Sequence, residues 1–65
     1  MMTYQDRVET ISRNWFETVC FTKMSQEQVD LFVRQCERME VDVEDVLDDI
    51  DFILAEIIGG EQYDN

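Results

Sequence analysis

Sixteen carboxylates against five basic side chains give this 65-residue chain a formal net charge of −11, which repels nucleic acid and anionic membrane surfaces and attracts basic proteins. The length admits one domain, residues 1–65, and a domain this small buries only about 60% of its unfolded surface. Yet 45% of the residues are apolar, seven aromatics among them, which is too much core for a disordered chain.

No apolar run approaches the roughly 18 residues of a membrane-spanning helix, and no basic and apolar leader opens the sequence. The expected compartment is therefore the cytoplasm, that of the host cell if a phage encodes the chain. Thiols stay reduced there, so Cys20 and Cys36 read as small apolar fillers rather than a disulfide.

Proline is absent and the two glycines are Gly59 and Gly60, so long helices are the natural reading. A first helix is expected over 4–22, capped by Thr3 with Asp6 three residues on. Tyr4, Val8, Ile11, Trp15 and Val19 form one apolar stripe at helical spacing. Phe16, Cys20 and Phe21 lie off it, which predicts that the end of this helix is the most buried part of the fold or half of a subunit interface.

The second helix, over 26–39, starts at Ser25 with Gln28 completing a capping box and Met24 and Val29 placed as a hydrophobic staple. Val29, Phe32, Val33, Cys36 and Met39 share a face. Leu31 points away, among Arg34, Gln35 and Arg38. The third helix, over 43–58, repeats the start signal with Asp42 and Asp45. Its stripe is Val43, Val46, Leu47, Ile50, Ile53, Leu54 and Ile57, and Gly59 stands where a left-handed C-terminal cap belongs. A loose tail over 60–65 is expected, with Tyr63 able to pack back. Three amphipathic helices on short connections predict an all-α fold, a small antiparallel three-helix bundle.

The charge is unevenly placed. Residues 1–39 carry five bases and six acids, whereas residues 40–65 carry ten acids and no base. The polar side of the third helix presents Glu44, Asp45, Asp48, Asp49, Asp51 and Glu56, like charges whose (i, i+3) and (i, i+4) pairs each cost a few tenths of a kcal/mol. A merely solvated helix mixes signs, so this face reads as a docking surface. Phe52 sits among those acids, an aromatic anchor inside a polar rim. Burial of Phe52 in the core or in a dimer is the competing reading.

The catalytic and metal chemistries lack their residues. With no histidine, neither a His-based triad nor a typical zinc site can be built. The run DVEDVLDDID lacks the sixth-position glycine and twelfth-position glutamate of a calcium loop. Carboxylates on a convex helix are poorly placed for acid–base work, and no glycine-rich phosphate loop is present. A carrier protein with a prosthetic arm needs a serine opening its acidic helix, and Ser25 opens the wrong one. No enzyme activity, cofactor or metal is expected.

Two readings remain. In the first, the acidic face mimics nucleic acid and occupies the basic groove of a nucleic-acid-binding protein, as an inhibitor of the anti-restriction or anti-CRISPR type carried by phages and mobile elements. In the second, the chain is a homodimeric assembly or adaptor module that associates through Trp15, Phe16, Phe21 and Leu31, and its acidity serves solubility.

Overall fold

Each helix starts where a short polar side chain can accept from the backbone N–H groups that a first helical turn leaves unpaired. Thr3 opens α1 (Tyr4–Phe21), its Oγ1 accepting from the Asp6 N–H at 3.1 Å while its own N–H donates to the Asp6 carboxylate at 3.4 Å. Ser25 opens α2 (Gln26–Arg38) in the same way with Gln28, at 3.3 and 3.0 Å. Asp42 opens α3 (Val43–Gln62), its Oδ1 accepting from the Glu44 N–H at 3.0 Å. The computed structural model describes the backbone of residues 1–62 and the side chains of residues 1–59. The expectation for Tyr63, and that for the tail over 63–65, lies outside the described residues.

The described residues form three helices and no strand, and every pair of helices is in contact. The fold is the expected three-helix bundle. Sequence neighbours run antiparallel: Trp15 of α1 meets Phe32 of α2 edge to face at 5.3 Å, while Ile11 shares a groove with Met39. α1 and α3 then run parallel, with Tyr4 bonded to Asp45 and Arg13 beside Ile53 and Glu56.

The turn between α2 and α3 closes on an unusual residue. Glu40 has a φ of 58°, the left-handed region that glycine fills at little cost. Its N–H donates to the Glu37 carbonyl and the Val41 N–H to the Cys36 carbonyl, both at 3.0 Å, which is the Schellman pattern. Val41 and Cys36, the residues this pattern brings together, are both buried.

The core is Val8, Ile11 and Trp15 of α1, Phe32 and Cys36 of α2, Val41, and Val46 and Ile50 of α3. It lies at the end of the bundle holding the start of α1, the end of α2 and the start of α3. Ser12 is buried within it: its Oγ donates to the Val8 carbonyl at 2.8 Å and lies 3.4 Å from the Val46 carbonyl oxygen. A hydroxymethyl group is all that separates the two helix backbones there.

Two expectations are corrected. The end of α1 is not the most buried part: Phe16, Val19 and Cys20 are half-buried and Phe21 is 67% exposed. α2 is only 13 residues long and places buried side chains only in its second half, so it does not cover that end. Nor does α3 stop at Gly59. It continues to Gln62, and no described glycine has a positive φ, so the tail is helical over 60–62. Glycine weakens a helix by about 1 kcal/mol without forbidding it. A left-handed cap gains from an apolar residue packing back just beyond it, and Gly60, which follows Gly59, has no side chain to do so.

Candidate acidic docking face

α3 turns about 100° per residue, and this sorts its side chains into three sectors. Val46 and Ile50 point to the core and are buried. Asp45, Asp48, Phe52 and Glu56 lie together on the opposite side, all exposed, with the half-buried Asp49 at their edge. Glu44 and Asp51 are exposed as well, but they fall on a neighbouring sector, beside Leu47.

Phe52 is 61% exposed, so its ring is in neither the core nor an intramolecular contact that hides it. It sits where two shallow grooves between α1 and α3 meet. Tyr4, Gln5, Val8, Asp45, Asp48 and Asp49 line the upper one with it, and Glu9, Arg13, Asp49, Ile53 and Glu56 line the lower one. The face is therefore built by two helices, and α1 sets Arg13 at its lower rim, a positive charge that the composition of α3 alone does not reveal.

The carboxylates differ in what they have left to offer. Asp45 is engaged: it accepts a hydrogen bond from the Tyr4 hydroxyl, which in turn accepts from the Asp42 N–H at 3.1 Å. The phenol thus stands between Asp42 and Asp45 and completes the cap that Asp45 was expected to close directly. The hydrogen bond to Asp45 pushes the Tyr4 hydroxyl above its ordinary value of 10.0, outweighing the opposite pull of the Asp42 backbone. Asp49 is constrained differently, since its Oδ2 is buried without a hydrogen-bond partner. Asp48, Asp51, Glu44 and Glu56 are exposed, and none of them accepts a side-chain hydrogen bond among the described residues. Tyr4 was legible only as an apolar-stripe residue of α1, because its partners lie some forty positions away.

The four residues of the expected dimer surface are not brought together. Trp15 is buried, its indole N–H donating to Gln35 Oε1 at 2.9 Å. Phe16 and Phe21 meet edge to face at 5.7 Å, and Phe21 is exposed. Leu31 is exposed on the outer face of α2, in a groove with Arg34, Gln35, Glu37 and Arg38. Both cysteines are free thiols. Cys36 is fully buried, and burial pushes its thiol above the ordinary 9.0.

Among the described residues no group of three or more His, Cys, Asp and Glu side chains is placed to hold a metal ion, and no helix is long and apolar enough to cross a membrane. No family model matches the chain, and no curated protein or solved structure is significantly similar to it.

Proposed function

We propose that the chain is an inhibitor that docks its acidic α3 face into the basic nucleic-acid-binding surface of another protein. The charge density of α3 carries this reading. Six carboxylates, Glu44, Asp45, Asp48, Asp49, Asp51 and Glu56, fall within thirteen residues, a rise of about 18 Å at 1.5 Å per residue. That is one charge per about 3 Å, close to the 3.4 Å per phosphate along one strand of duplex DNA. A groove shaped for a phosphate backbone meets a similar charge density here, spread over two adjacent sectors of a preformed helix, so that side chains and not the backbone are ordered on binding. Phe52 adds an apolar anchor at the centre, where binding energy concentrates in protein interfaces. A phage or mobile element carrying such a protein against a host restriction or CRISPR effector is the setting this chemistry suits.

The test is displacement. Immobilised wild-type chain should retain nucleic-acid-binding proteins of its natural host at low salt and release them to excess duplex DNA. Asp48→Lys, Phe52→Ala and Glu56→Lys change exposed side chains and leave the Tyr4–Asp45 cap intact, so they test the face without unfolding the chain. Retention that survives these substitutions, or that duplex DNA does not compete away, sinks the proposal.

A further inference from the structure

The apolar stripe of α3 outruns the bundle that should cover it. Val46 and Ile50 are 0% and 2% exposed, whereas Ile57, on the same side two turns further on, is 58% exposed. Beside it Leu54 is half-buried, Ile58 is 45% exposed and Leu47 is 40% exposed. At about 100° per residue Leu47, Leu54 and Ile58 align within one narrow sector next to Ile57. Across the seam Val29 is exposed on the same face of α2 that buries Phe32 and Cys36. Soluble monomers seldom leave an aligned row of large aliphatic side chains in water.

The molecule as a whole carries the same excess. Its accessible surface is 5040 Å², against about 4,400 Å² for a compact monomer of its 7.8 kDa mass. Its radius of gyration is 12.9 Å, against about 11 Å for a compact domain of this length. In its thinnest direction it measures 15 Å, room for two layers of helix. The surplus, about 600–700 Å² summed over the whole chain and not over the stripe alone, is of the order of the roughly 800 Å² that each partner contributes to a standard stable interface.

We infer that a second copy of this chain covers the α3 stripe, with the two α3 helices antiparallel about a twofold axis. Such an isologous contact needs a self-complementary patch, and an aliphatic row on a straight helix is one: Leu54 of each copy meets Ile58 of the other. The partner of the acidic face cannot do this covering, because Asp45, Asp48, Phe52 and Glu56 point away from the stripe. They stay outward in the dimer, so the inference does not rest on the proposed function.

Charge sets how the dimer responds to salt. Each copy brings a net charge of −11, and Glu44 and Asp51 flank the stripe. Repulsion between copies reaches about 30 Å at 0.01 M salt and about 3 Å at 1 M. Dimerisation therefore strengthens with salt, the opposite of docking onto a basic partner, so the two contacts are separable in one titration.

The experiment is sedimentation equilibrium of the full chain across protein concentration, at about 0.01 M and about 1 M NaCl. The expected result is twice the 7.8 kDa chain mass at high salt, with association at least tenfold weaker at low salt. The double variant Ile57→Gln, Ile58→Gln, altered only at exposed positions, should keep its helical circular dichroism and lose at least tenfold in association. Leu31→Gln, on the outer face of α2, should associate like the wild type. A wild-type monomer at high salt, association that weakens with salt, or loss of the dimer in Leu31→Gln instead overturns the inference. The wild-type mass decides even if a variant fails to fold.

Discussion

Gly59→Ala tests whether α3 continues past the point where its sequence signals a stop, and the outcome turns on sign. Gly59 lies inside α3 without a positive φ, and a Cβ built on it meets no heavy atom within 4 Å. Alanine is therefore sterically free there and favours the helix by about 0.8–1 kcal/mol at an interior position. So close to the helix end, fraying reduces this to about 0.5 kcal/mol. In a domain of this size 1 kcal/mol moves Tm by about 4–8 °C, so Gly59→Ala should raise Tm by about 3 °C and increase the ellipticity at 222 nm. Thermal melts at one fixed protein and salt concentration keep association out of the comparison. Were Gly59 a left-handed cap, alanine would cost about 1 kcal/mol or more and Tm would fall. A fall refutes the helical continuation through Gly59 to Gln62.

Glycine logic runs the other way at Glu40, whose φ of 58° strains an L-residue by about 1 kcal/mol; Glu40→Gly should stabilise the chain by about 0.5 kcal/mol after the entropy of glycine is counted, read as a higher urea midpoint at unchanged slope. Ser12→Leu forces α1 and α3 apart where the Ser12 side chain lies between Val8 of one and Val46 of the other and should cost at least about 2 kcal/mol, whereas Ser12→Ala should cost about 1 kcal/mol or less; equal effects in a urea titration would contradict the close approach. Tyr4 and Cys36 both hold their protons more tightly when folded, so their contribution is complete below about pH 9 and is lost as pH rises through and beyond their ordinary values. Urea midpoints should therefore fall between pH 8 and pH 10.5, and less steeply in Tyr4→Phe; a midpoint flat over that range would refute both assignments.

Helix starts were legible because capping is local: Thr3 with Asp6 and Ser25 with Gln28 sit within four residues of each other and bond as read. Helix ends were less so. Gly59 carries a stop signal in sequence, but whether it acts depends on what lies beyond to pack back. The stripe positions Val8, Ile11, Trp15, Phe32, Cys36, Val46 and Ile50 are core, as periodicity required. Periodicity does not say how far a partner helix reaches, which is why Ile57 and Phe21 are exposed despite apolar surroundings in sequence. Ser12 carries no such signal in sequence, because a small polar residue marks a close approach only once the opposing backbone is known. The acidic face was legible as composition, and Phe52 as its centre. That Asp45 is tied to Tyr4, that Asp49 is partly buried and that Arg13 borders the face are consequences of α1 lying alongside α3, some forty residues away in sequence.

The most direct measurement of the docking role is the salt dependence of binding to a host protein retained on the wild-type chain and displaced by duplex DNA. The logarithm of the affinity should fall linearly as the logarithm of salt concentration rises, and Asp48→Lys, Asp51→Lys and Glu56→Lys together should weaken binding at low salt and flatten that slope. Binding that is indifferent to salt, or that keeps the wild-type slope after all three reversals, would show that the acidic face of α3 is not the surface the partner meets.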